Sequence, residues 1–242
     1  MTQSKTRSLN HLVLEGGVIM TSILLAFALD ALWDSSKVAG KAQVALASLK
    51  AEFEANLVSC VKVRDYHFDN AREFAALLRE RDDEILKLSD EEATTAYYTI
   101  CSPRTFDALL GTTKSVISSG TFDILQDPRL RNGLDMFLNL VQDTHEDVQN
   151  MLYYMRVLGE HEVGLGGPWA HPGAPTSPGD LTPDTSYQRR ITAGKLLQLL
   201  QSQDYIGRAK LYQGCASWYS GELGGIADHI RELLAIIKDL QN

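Results

Sequence analysis

LVLEGGVIMTSILLAFALDALW, residues Leu12 to Trp33, is the stretch from which the rest of this chain is organised. From Gly16 to Leu29 it carries no charge, and most of its side chains are apolar. With Val13, Leu14 and the flank to Leu32 it amounts to about 20 residues, which as a helix cover roughly 30 Å, the hydrocarbon thickness of a bilayer. Glu15 and Asp30 sit near its two ends, where a carboxylate reaches the headgroups at far lower cost than at the midplane. Trp33 falls where an interfacial aromatic belongs. Glu15, Asp30 and Trp33 thus mark a transmembrane anchor over residues 12–33.

Two other readings compete. Lys5 and Arg7 form a short basic region ahead of Gly16–Leu25, and Ala26-Phe27-Ala28 has the small-x-small form of a signal-peptidase site. A buried core helix would also be apolar. The anchor is favoured because the apolar run passes the possible cleavage site and reaches Trp33, after which a helical pattern resumes. Lys5 and Arg7 before the span nearly balance Lys37 and Lys41 after it. The short amino-terminal tail, residues 1–11, tips the expectation towards N-inside. That gives a single-pass protein with its large helical domain outside the cytoplasm.

The remaining residues, 34–242, suffice for one domain with a real core. Net charge is −8 and 44% of residues are apolar. The acids are spread along the chain and no Lys/Arg face is clustered, so no nucleic-acid partner is expected. Cys60, Cys101 and Cys215 are widely spaced and form no C-x-x-C pair. They read as small buried side chains, with one disulfide possible in an oxidising compartment.

Leu46, Leu49, Phe53, Leu57, Cys60 and Val61 recur at helical steps, with Lys50, Glu52, Glu54 and Asn56 between them. The pattern extends to about Leu86, with Asp82, Asp83 and Glu84 as a solvated face. Ser89-x-x-Glu92 is a capping box that starts the next helix, which stops near Cys101 ahead of Pro103. Ser102 reads as an N-cap with Pro103 at N1, predicting a helix over Arg104–Ser118 closed by Gly120. A short turn at Phe122–Leu125 precedes Asp127-Pro128, a second start signal. A long amphipathic helix follows to Leu158.

Residues 159–188 form an irregular loop that holds five of the seven prolines. Loops of this length are functional or disordered. Trp169 and His171 lie in it, either plugging onto the bundle or, with 164–179 as a lid, closing a ligand pocket. Helix resumes at Ile191. Asp204 is read as the cap of a last long helix whose seam, Ile226, Ile230, Leu233 and Ile237, packs inside its own bundle or pairs with another chain. Gly221, Gly224 and Gly225 weaken its middle. No stretch alternates with period two. The fold class is therefore all-α, a transmembrane helix continuing into an antiparallel helical bundle with long helices.

A catalytic centre is not indicated. The six histidines are scattered, H-E-x-x-H and G-x-S-x-G are absent, and the glycines form no phosphate cradle. Glu160-His161-Glu162 is the densest titratable cluster, but adjacent helical residues diverge. His229 and Glu232 are one turn apart and able to pair. No cofactor or metal is expected.

The run LLAFALDALW followed by ALASLKAEFEANL resembles the start of a large group of uncharacterised bacterial single-pass membrane proteins. The shared positions are Glu15, Ala26, Asp30, Trp33, Leu46, Leu49, Glu52 and Asn56. A second block, S-G-x-x-x-x-x-x-D-x-x-L-R-x-x-L, matches at Ser119, Gly120, Asp127, Leu130, Arg131 and Leu134. The Gly/Pro-rich segment at 164–179 departs from that pattern. The resemblance implies a retained anchor and a helical domain, and no catalytic residue. The expected function is non-enzymatic: an accessory or scaffold subunit whose partners are the lipid bilayer and a protein or second copy. The alternative is an envelope sensor with a ligand-binding helical domain.

Overall fold

A computed structural model describes residues 4–118, 127–164 and 191–241. Among them are seven helices and no strand: α1 (Ser4–Leu77), α2 (Asp82–Ile85), α3 (Asp90–Ile100), α4 (Gly111–Ser118), α5 (Pro128–Gly164), α6 (Ala193–Gln201) and α7 (Gln203–Gln241). The all-α expectation holds.

α7 is the central helix, with α1 and α5 along its length. It runs antiparallel to α1. The Cys60 thiol donates to Leu223 O at 3.2 Å and the Ser220 hydroxyl to Arg64 O at 3.0 Å, so numbers rise on one helix as they fall on the other. It also runs antiparallel to α5, from Gly133 against His229 to Glu162 against Tyr205. The path is therefore up through α1, down through α3 and α4, up through α5 and down through α7. Leu49, Phe53, Leu134, Phe137, Leu233 and Ile237 lie in the core. Phe53 meets Phe137 edge to face at 5.0 Å.

α1 is one unbroken helix with two environments. From Leu46 its apolar side enters the core, but from Leu14 to Trp33 nothing covers it: Phe27 is 68% exposed and Trp33 64%. The buried-core reading of this stretch is thereby overturned. The stretch is long and apolar enough to cross a membrane. Its two hydroxyls are satisfied by their own helix, Thr21 to Gly17 O and Ser22 to Val18 O, both at 2.8 Å. Lys37 lies 5.6 Å over the Trp33 ring at the polar end.

The predicted caps hold at two starts. Ser89 and Glu92 form the reciprocal capping box of α3, and Asp127 accepts from the amides of Arg129 at 2.8 Å and Leu130 at 3.3 Å. Four expectations are corrected. α1 ends at Leu77 rather than near Leu86, turning through residues 78–81 into α2. α5 runs on to Gly164, so 159–164 is helix and not the start of the loop. Ser202, not Asp204, accepts the Tyr205 amide at 3.3 Å at the start of α7.

The fourth correction is the largest. Only Gly111–Ser118 of the predicted helix 104–118 is helical; residues 102–110 form no regular structure. Buried side chains take over the backbone bonds that a helix would have made. Asn56 donates to Leu109 O at 2.8 Å and accepts from the Leu109 amide at 2.7 Å. The Tyr219 hydroxyl accepts from the Phe106 amide at 2.8 Å, and His67 Nε2 bonds Arg104 O at 2.8 Å. That carbonyl only accepts, so Nε2 carries the proton; burial holds His67 below its ordinary pKa and hence neutral. Glu52 then caps α4, accepting from Thr112 N at 2.5 Å, Thr113 N at 2.9 Å and the Thr113 hydroxyl at 2.7 Å. A carboxylate suits a helix N-terminus electrostatically. Glu52 and Asn56, read as part of a polar face, are 9% and 1% exposed.

Candidate interaction groove

The far end of α1, beyond the irregular segment, forms one wall of a groove. α3 is the other wall and α2 closes the end. Two adjoining cavities make it up. The first, about 660 Å³, is polar and is lined by Tyr66, Asn70, Glu73, Asp90, Glu91, Thr94, Thr95, Tyr98, Thr99, Ser102 and Arg104. The Arg104 guanidinium stacks 3.8 Å over the Tyr66 ring. The second, about 690 Å³, shares Glu73, Glu91, Thr95 and Thr99 with the first and has an apolar floor of Ala76, Leu77, Ile85, Leu88 and Ala96. Its rim carries Glu73, Glu80, Glu84, Glu91 and Glu92, and among the described residues no lysine or arginine lines it.

Local sequence explains this shape. α1 stops at Leu77 and the chain doubles back, so acids at the end of α1 face the acidic first turn of α3, where Asp90, Glu91 and Glu92 favour a helix N-terminus. Asp82, Asp83 and Glu84 fall in the first turn of α2, where Arg81 pairs with Asp83 and Lys87 meets Glu84 at 2.6 Å. They form a solvated face, as expected.

Two further polar clusters lie on α5 and α7, one inside the bundle and one at its surface. Glu162 is 1% exposed. Its Oε2 accepts from the Tyr97 hydroxyl at 2.7 Å and its Oε1 from the Tyr205 hydroxyl at 2.8 Å. Burial and then the Glu162 charge push the Tyr205 phenol up, which keeps it a donor. Beside it His161 stacks on Tyr205, and its Nδ1 lies 3.1 Å from Asp204. Glu160-His161-Glu162 thus diverges as helical geometry requires, and Glu162 alone turns inward. The sequence carried no signal that Tyr97 and Tyr205 would meet it.

The second cluster is Asp147 on α5 and Glu222 on α7. Burial, then a hydrogen bond to Asp147, raises the Glu222 carboxyl to about 7. Asp147 Oδ2 and Glu222 Oε2 are both buried with no donor. Asp143, His145, Glu146 and the exposed Trp218 surround the pair.

The seam residues Ile226, Ile230, Leu233 and Ile237 are buried in the core. They pack within their own bundle, the first of the two uses that the sequence allowed. His229 Nδ1 lies 3.6 Å from Glu232, and its Nε2 bonds Gly133 O at 2.8 Å. The three cysteines are free thiols, and burial raises the pKa of each. Glu15, Asp30 and Trp33 lie on α1 at the predicted ends of its bare stretch. Trp169, His171 and the lid residues 165–179 lie outside the described residues, as does the turn Phe122–Leu125. Among the described residues, no three His, Cys, Asp or Glu side chains converge as metal ligands. No protein-family model, curated protein or solved structure matches the chain significantly.

Proposed function

We propose that this chain is a non-enzymatic, membrane-anchored helical protein that acts by protein contact, as an accessory or scaffold subunit. Its setting in this reading is a bacterial inner membrane, crossed once, with the bundle on the periplasmic side. The observation that carries the reading is the continuity of α1. Bare apolar helix from Leu14 to Trp33 passes without a break into the Leu46–Leu77 stretch that packs in the bundle. Eleven large apolar side chains in the bare part are exposed, and each is worth about 2 kcal/mol when moved out of water. A bilayer supplies that transfer. Between Trp33 and Leu46 lies about 20 Å of helix, a stalk that lifts the bundle off the surface.

The test is protease accessibility of a carboxyl-terminal tag in spheroplasts, with and without lysis, alongside fractionation. Full-length tagged product in the membrane fraction, digested in intact spheroplasts, is the expected result. Protection until lysis would reverse the side. A soluble product shortened by about 28 residues, at the small-x-small site, would sink the anchor.

The polar cavity at Tyr66 and Arg104 favours a second reading, a ligand-binding envelope sensor. Thermal shifts of the purified chain with small polar metabolites check it; a melting point unmoved by any of them counts against it.

A further inference from the structure

We propose that the groove between α1, α2 and α3 docks a basic amphipathic helix of a partner protein. The partner lays an apolar stripe along Ala76, Leu88 and Ala96, over the buried Leu77 and Ile85, and sets lysine or arginine side chains against Glu73, Glu80 and Glu91. This deepens the reading above and rests on it for the bundle's role in protein contact.

Charge complementarity selects the occupant. Of the rim carboxylates, Glu84 is already met by Lys87 and Glu92 is spent on the Ser89 cap. Glu73, Glu80 and Glu91 make no ion pair among the described residues, although they line one cavity. Carboxylates gathered around an apolar floor repel one another, and cations brought by a ligand relieve that repulsion. An acidic partner helix would add to it.

Spacing selects a helix. Glu73 and Glu80 are seven residues apart, Glu73 near the end of α1 and Glu80 in the turn that follows Leu77, where its amide bonds Leu77 O at 3.2 Å. In a docked helix, seven residues are two turns, about 10 Å. A docked helix with cations at i and i+7 and apolar residues at i+3 and i+4 matches both the rim and the floor. Ala76 and Ala96 give the floor only methyl groups, which leaves it open. Glu73 lies 40 residues beyond Trp33 on α1, about 60 Å along the helix. The partner is therefore met at the end of the bundle remote from the bare apolar stretch.

The experiment uses the full chain in non-ionic detergent. The probe is a fluorescent peptide of leucine and lysine, about five turns long, patterned as an amphipathic helix and followed by anisotropy near physiological salt. A scrambled peptide of the same composition is the control. The patterned peptide is expected to bind more tightly than the scrambled one. Combined Glu73→Gln, Glu80→Gln and Glu91→Gln should weaken it about tenfold or more, and so should Ala76→Arg, which puts a cation on the floor. Combined Glu54→Gln, Asp228→Asn and Glu232→Gln, away from the groove, should leave it unchanged. Circular dichroism confirms that each variant is folded. Equal binding of the scrambled peptide overturns the proposal; so does unchanged binding by the groove variant, or an equal loss in the remote one. The readout is independent of the anchor. A chain that fractionates as soluble yet binds keeps the groove and loses the membrane reading, and a membrane-bound chain indifferent to the peptide does the reverse.

Discussion

Asn56 and Leu109 exchange two hydrogen bonds, side-chain amide to backbone, as a neighbouring strand would: Nδ2 to the carbonyl at 2.8 Å and Oδ1 from the amide at 2.7 Å. One turn below, Glu52 caps α4 through Thr112 and Thr113. These two side chains on α1 hold a segment that makes no helix of its own between Ser102 and Leu110.

Replacing either should loosen that segment. Asn56→Ala leaves a buried amide and carbonyl without partners and should cost about 2–3 kcal/mol. Glu52→Ala removes charge-assisted bonds and should cost about 3 kcal/mol. Asn56→Asp keeps the acceptor and loses the donor, so it should fall between native and Asn56→Ala only where the aspartate is protonated. Chemical denaturation of the full chain in detergent checks all three; a cost below about 0.5 kcal/mol for Glu52→Ala would mean that the clamp is ornamental.

Gly133 lets α5 and α7 approach closely. A Cβ there would stand 2.6 Å from Leu233 Cδ2, and Leu233 is fully buried. Gly133→Ala should therefore destabilise the bundle by about 1–3 kcal/mol, although alanine is the better helix former. A second change, Leu233→Ala, should recover part of the loss in a double-mutant cycle.

Glu222 gives the bundle a pH dependence. Its carboxyl titrates near 7 in the folded chain against an ordinary 4.5, so the folded state holds a proton that the unfolded state releases between those values. The contribution is complete below about pH 4.5 and is lost as pH rises to about 7. The pair borders solvent, so the full linkage value is discounted to about 1 kcal/mol. Urea midpoints should fall between pH 5 and pH 8, and Glu222→Gln should flatten this part of the profile. A midpoint that rises over that range in native but not in Glu222→Gln would refute the assignment.

The thiols should be slow. Burial lifts Cys60 to about 11, so at pH 8 only about one molecule in a thousand carries its thiolate. Cys101 is also pushed up, by burial and then by the Glu162 charge. Alkylation by iodoacetamide at pH 8 should reach Cys215 first, and the other two only with unfolding. Rapid labelling of Cys60 in the native chain would contradict the packing of α1 against α7.

Most of the helices were legible in the sequence because their signals are local. Ser89-x-x-Glu92 and Asp127-Pro128 mark starts by the chemistry of three or four consecutive residues, and the apolar stripe from Leu46 to Cys60 is a matter of period. Two of the misreadings share one cause. Ser102-Pro103 is as good a start signal as Asp127-Pro128, yet the helix was displaced by partners far along the chain, Asn56 upstream and Tyr219 downstream. Glu162 looked like one of three diverging side chains until Tyr97 and Tyr205 were brought to it. The groove was not legible at all, since its rim joins the end of one helix to the start of another.

By itself, the sequence determined the all-helical class, the bare apolar stretch and the order of long amphipathic helices, because each follows from periodicity and capping within a few turns. Only the tertiary structure decided that Glu52 and Asn56 face inward, that the Ile226–Ile237 seam is used within the chain, and that acids from α1 and α3 share one groove. Those outcomes depend on which buried polar group finds which partner. That choice is set by the desolvation cost of going without one, and it is settled between residues far apart in the chain.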